Sequence, residues 1–302
     1  MKKMIFLLSV FFILSCSDNE NNYDELSRSK DNIGAIHNKG LDFIKSKVDF
    51  KKKSAPDEVA YISSEELLEM SLEYFNNIPG YENLSLSDED KRVLASDLDE
   101  VRGDMTHEKI DHIWEEKMDN VSSIYELSSL EKNAISEFKS VFNVASSLQG
   151  EEQFDYINNE ILRIKSKYKN SYNTSEILSG LIDIGLNSND YWKNYSNEIS
   201  MKSAIVEEIG ENQKDAESPY VVIVRVDCLG YIIGWLGAVW KESTSPGGMK
   251  KENQWSRVGT GGISAVGFSA RGLLSFEISP KDDEPEYIED IEAPETAVLP
   301  DE

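Results

Sequence analysis

Residues 219–240 read PYVVIVRVDCLGYIIGWLGAVW, and the fold class turns on whether they form a helix or a strand. On a helix, Asp227, Gly230, Gly234 and Gly237 recur at spacings of three, four and three, so one face carries almost no side chain. Residues 258–276 repeat that spacing with Gly262, Ala265, Ser269 and Gly272, and the loop between contains Pro246-Gly247-Gly248. A glycine inside a helix costs about 0.5–1 kcal/mol relative to alanine, so a glycine stripe implies compensation by close backbone approach. The expected unit is an antiparallel helical hairpin over 219–276. Gly237 would lie near Gly262, Gly234 near Ala265, and Asp227 near Ser269 and Gly272. The Asp227 carboxylate would accept from Ser269 or pair with Arg271. The β-branched run Tyr220 to Val226 also fits a strand, which leaves that alternative open.

Outward from the hairpin, the chain reads as successive amphipathic helices. Residues 151–168 are the clearest, with Phe154, Ile157, Ile161, Ile164 and Tyr168 at three, four, three, four. Ile33, His37, Leu41, Ile44 and Val48 mark a helix over 31–48, with Asp31 as its cap and Lys51-Lys52-Lys53 and Pro56 ending it. Ser63 with Glu66, and Ser87 with Asp90, begin two more. Leu67, Met70 and Tyr74 give the first an apolar face that Pro79-Gly80 ends; Val93, Leu94, Leu98 and Val101 do so for the second. Residues 121–148 read as one long helix closed by Gly150, and Thr174 is positioned to cap another through Ile177, Leu181 and Ile184. Alternating strand patterns are almost absent. The expected fold class is all-α: an irregular multi-helix bundle over 31–276 with a C-terminal glycine-rich antiparallel helical hairpin and disordered termini.

The ends differ in composition. Residues 277–302 hold eleven acidic residues, one lysine and four prolines, which predicts a disordered acidic tail. Residues 1–15 combine Lys2 and Lys3 with an apolar run too short to span a bilayer, the pattern of a signal peptide. Residues 16–30 are polar and aperiodic, a flexible tether. The net charge of −25, less the +2 of Lys2 and Lys3, leaves the mature chain near −27. That excludes the basic footprint of a nucleic-acid binder and predicts repulsion from anionic headgroups. With Cys16 committed to the N-terminus, Cys228 is the one remaining thiol, so no disulfide framework exists.

Ile13-Leu14-Ser15-Cys16 resembles the lipobox of bacterial lipoproteins. The resemblance implies acylation of Cys16 and membrane attachment through two or three acyl chains, each buried methylene contributing about 0.8 kcal/mol. Ser17-Asp18-Asn19-Glu20 resembles the acidic export signal of surface lipoproteins in Bacteroidota-type bacteria, which implies an outer-membrane site, surface-exposed or facing the periplasm. His37-Asn38-Lys39-Gly40-Leu41-Asp42 is similar to a His-Asn-x-Gly-Leu-Asp motif of uncharacterised lipoproteins in that group. Asp227, Gly230 and Gly234 are similar to their C-terminal segment. That family transfers no catalytic residue.

Motifs for catalysis or metal binding are weak. His107 and His112 stand five apart, which rotates them about 140° on a helix, away from the shared face that a zinc helix needs. No nucleophile elbow, phosphate loop, Rossmann fingerprint or EF-hand loop is present. No metal, cofactor or catalytic residue is assigned. His37 lies on an apolar face and reads as a core histidine hydrogen-bonded to a backbone or carboxylate group, with a ligand or catalytic role as the lesser alternative; Asn38 and Asp42 beside it leave docking against the hairpin open. Trp235, Trp240 and Trp255 cluster at its tip, as core packing, a binding platform or an interfacial belt. The sequence thus points to a lipid-anchored envelope protein, a non-enzymatic binding or interaction module with an unidentified protein partner. The alternative is a membrane-active protein whose hairpin inserts as in small glycine-rich bacteriocins. A third reading is a hydrolase using carboxylates scattered over the helices. Oligomeric state is not legible.

Overall fold

The computed structural model describes residues 33–54, 62–102, 107–148, 150–204, 219–250 and 253–278. These residues form ten helices and, among them, no strand. In chain order they are α1 (Ile33–Ser54), α2 (Ser64–Asn76), α3 (Asp88–Arg102), α4 (His107–Ile124), α5 (Ser129–Ala145), α6 (Glu151–Lys167), α7 (Lys169–Thr174), α8 (Glu176–Ala204), α9 (Pro219–Thr244) and α10 (Gln254–Ile278). Expectations for the signal peptide, Cys16, the tether, Asp31 and residues 279–302 lie outside the described residues.

α9 and α10 form the expected antiparallel hairpin, and it is the axis of the molecule. α8 and α4 pack on α9, while α1, α2 and α3 pack on α10; α5 and α6 cover α8 from outside. The strand alternative for Tyr220 to Val226 is overturned, because these residues are helical. Burial on every side explains how β-branched residues sit in this helix: Val221, Ile223, Val224 and Val226 are all in the core, where packing outweighs their small propensity deficit. Among the described helices, α9 alone is long and apolar enough to cross a membrane, and almost all of its apolar stretch is buried in protein.

Several local expectations are corrected. Residues 121–148 are two helices, α4 and α5. Ser128 interrupts them: its Oγ accepts from Glu131 N at 3.2 Å while Ser128 N donates to Glu131 Oε2 at 2.8 Å, a reciprocal cap that overrides the continuous apolar spacing. α1 runs through Lys51 to Lys53, since lysine is a good helix former and Lys51 pairs with Glu66 of α2. α8 is capped by Ser175, whose Oγ accepts from Leu178 N; Thr174 closes the short α7 and donates to Asn170 O. α10 continues two residues past 276. Val93 is 53% exposed and does not join the core face of α3.

The hairpin register also differs, by about one turn. A Cβ on Gly234 would strike Thr260 O and lie 2.6 Å from Ser264 Cβ, and one on Gly230 would lie 3.0 Å from Ala265 Cα. Gly234 therefore faces 260–264, and Gly230 takes the place expected for Gly234. Gly262 looks the other way, toward Phe75 of α2 and Ile33 of α1, and Gly272 sits against Ile223. The close approach is as inferred, but both helices repeat small residues every three to four positions, so several registers satisfy the pattern.

Candidate functional site

Two places in the molecule gather the singled-out residues. The first is a buried polar centre where the hairpin meets α1 and α8. Helical spacing puts His37 inward with Ile33, Leu41 and Ile44, and puts Asp227 inward with Val224 and Tyr231. Both are 0% exposed, and His37 Nε2 lies 3.7 Å from Asp227 Oδ2. Asp227 Oδ2 accepts from Ser188 Oγ at 2.5 Å and from Trp192 Nε1 at 3.0 Å. Ser269 lies close enough to favour the charged carboxylate, yet its hydroxyl and Asp227 Oδ1 complete no hydrogen bond. Arg271 is elsewhere, donating to Ile62 O at 2.9 Å and to Asp99 Oδ1 at 3.2 Å, so the expected Asp227–Arg271 pair is excluded.

The hydrogen-bond pattern fixes the imidazole tautomer. Asn38 Nδ2 donates to Asn187 O at 2.8 Å, so Asn38 Oδ1 faces His37 Nδ1 at 3.0 Å as an acceptor. Nδ1 then carries the proton, and Nε2 presents a lone pair on the Asp227 side. Burial drives the His37 pKa down from 6.5 to about 4, against the opposing pull of Asn38 and the Ala265 backbone. Burial likewise raises the Asp227 carboxyl from 3.8 to about 7, against Ser188, Trp192 and Ser269. Between about pH 4 and 7 desolvation favours two neutral groups: a protonated carboxyl beside a lone pair is attractive, whereas an ionised one is repulsive.

The two motif segments therefore meet in space. Besides His37 and Asn38, Asp42 accepts from Tyr191 at 2.8 Å, and Gly40 lies against Tyr74 and Val266. The α8 partners were missed, although Leu181, Ile184, Ser188 and Trp192 share one inward stripe in which a serine stands out. Gly180 was also missed; the Tyr231 ring occupies the place of its Cβ, and Tyr231 donates to Glu176 O at 2.9 Å. The three hairpin arginines were not anticipated as clasps either. Arg225 pairs with Asp111 of α4, Arg257 with Glu176 of α8 and Glu242 of α9, and Arg271 with Asp99 of α3. The polar centre is sealed from solvent, with both His37 and Asp227 fully buried.

The second place is open. A groove of about 950 Å³ lies at the hairpin tip, between α3, α4, the C-terminal end of α9, the loop around 245–250 and the start of α10. Gly237, Trp240 and Lys241 of α9 line it, with Val93 at its edge. Trp240 is 57% exposed, whereas Trp235 is fully buried against Tyr125 and donates to Glu176 at 3.3 Å. The tryptophan cluster thus divides: Trp235 is core, Trp240 is surface and Trp255 is half-buried. His112 is exposed, and among the described residues no three His, Cys, Asp or Glu side chains are gathered to hold a metal. Cys228 is buried, and burial pushes its thiol pKa well up. No protein family, curated protein or solved structure matches this chain.

Proposed function

We propose that the mature chain is a lipoprotein, anchored in the outer membrane through Cys16, that works as a non-enzymatic binding module. The observation that carries this reading is the groove at the hairpin tip, the open concavity that holds the exposed Trp240. It has the size of a ligand site, and the most perturbed titratable pair lies sealed in the core instead of lining it. The acidic excess fits a protein held to the bilayer by acyl chains and not by headgroup attraction. The test is intact-mass spectrometry of the protein from a host with a lipoprotein pathway. Acyl mass on Cys16, and release into the soluble fraction by Cys16→Ser, are expected; an unmodified Cys16 in a membrane-free protein would refute the anchor.

A second reading, insertion of the hairpin into a bilayer, is favoured by one feature: α9 has the length and apolarity of a span and is sheathed by amphipathic helices. Against it, insertion would strip Arg225, Arg257 and Arg271 of Asp111, Glu176 and Asp99, and would take Asp227 from Ser188 and Trp192. Dye release from liposomes by the purified mature chain, abolished by Gly234→Leu, would establish this reading in place of the first.

A further inference from the structure

Gly237 is the hairpin glycine that packing does not explain. It lies inside α9 and is exposed, and a Cβ built on it meets nothing within 4 Å, whereas Gly230 and Gly234 are pressed against α10. A helix gives up stability at such a position and recovers none of it from a neighbour. The open space above Gly237 is the groove, and Trp240, three residues on, rises from the same face of the helix. A bare patch of backbone beside an exposed indole is a floor and a wall for a flat ligand.

Most of the charges in the groove are already paired internally, while Lys250 makes no ion pair among the described residues. Lys117 is held by Asp97 at 2.9 Å, Lys241 by Asp90 at 2.6 Å, and Glu242 by Arg257 at 2.7 Å. What remains for a ligand is an apolar surface carrying the exposed Val93 and Trp240, with neutral polar groups beside it: Asn83, Asn120, Asn253 and Ser256 line the groove, the asparagines offering both donors and acceptors. A sugar ring matches this set, with an apolar C–H face for the indole and a rim of hydroxyls for amides and serines. We propose that the groove binds a neutral saccharide, stacked on Trp240 over the bare backbone of Gly237. This deepens the binding-module reading and rests on it.

The test is titration calorimetry of the full mature protein in phosphatidylcholine vesicles. The probes are neutral oligosaccharides (cellohexaose, maltohexaose, mannohexaose, xylohexaose and laminarihexaose) with polygalacturonate and a tryptic casein digest beside them. Gly237→Leu should fill the groove without disturbing the core, and Trp240→Ala should remove the platform. Binding of at least one neutral oligosaccharide is expected, weakened on the order of tenfold or more by each variant with no fall in melting temperature. No heat with any neutral oligosaccharide, or binding that neither variant weakens, overturns the proposal. Groove-dependent binding of the casein digest or polygalacturonate alone would overturn the saccharide while leaving the binding module standing. No probe distinguishing wild type from Gly237→Leu would remove both.

Discussion

At the residue scale, His37 and Asp227 make opposite demands on pH. Folding raises the Asp227 pKa from 3.8 to about 7, so between those values the folded state holds a proton the unfolded chain has lost, and this contribution to stability falls as pH rises. Folding lowers the His37 pKa from 6.5 to about 4, so between those values the unfolded chain holds the extra proton, and this contribution falls as pH drops. From pH 4 to 6.5 the two slopes oppose one another, and the wild-type centre is nearly pH-neutral there. Single variants should unmask each slope. Asp227→Asn leaves His37 and should lose stability on acidification from pH 6.5 to 4, on the order of 3 kcal/mol in total. His37→Gln leaves Asp227 and should gain a similar amount relative to wild type over that interval. Urea unfolding at a series of pH values reads both; parallel profiles for wild type and the two variants would mean that the pair titrates normally.

At the scale of the element, the hairpin glycines should behave differently according to what faces them. Gly234→Leu drives a side chain into Thr260 O and Ser264 and should cost on the order of 3 kcal/mol. Gly237→Ala meets nothing and should stabilise by about 0.5–1 kcal/mol, the helix propensity of alanine. Thermal melts of the two variants check this; equal effects would contradict the close-packed face. The contrast also shows what the chain announces about itself. The helical period of Phe154 to Tyr168 is local and was legible, as were the Ser63 and Ser87 caps. The 128–131 cap was equally local but was masked by apolar residues that kept helical spacing across it. The inward faces of His37 and Asp227 were legible, but their pairing and the Ser188 and Trp192 donors were not, because nothing in the chain states which helix completes a buried centre. The hairpin register was not legible, since small residues repeat along both partners and the choice is made by Phe75, Ile33 and Tyr231 wedged around them. The groove is likewise a product of tertiary arrangement, formed by three stretches far apart in sequence, 83–97, 117–124 and 233–260.

For the whole molecule, the organising fact is an apolar hairpin enclosed by amphipathic helices and clasped to them by charge. Its three arginines reach carboxylates on α3, α4, α8 and α9, and three of those helices belong to the sheath. Removing one carboxylate weakens the charge balance of a buried guanidinium; with Glu176 neutralised, Arg257 keeps Glu242 at 2.7 Å, and the loss is of order 1–3 kcal/mol. Glu176→Gln is the most exposing case, since Glu176 also receives the Trp235 indole and, through its carbonyl, the Tyr231 hydroxyl. A fall in chemical midpoint of that size is expected, and no change would show that the Arg257 clasp is not a structural tie. The central claim is that the hairpin is a permanent core and the groove at its tip is the working surface. Amide hydrogen exchange on the mature protein anchored in liposomes tests that most directly. A permanent hairpin core keeps α9 and α10 the slowest-exchanging segments, as slow on vesicles as in detergent, with no dye released. Rapid exchange or bilayer protection of the hairpin, accompanied by leakage, would contradict it.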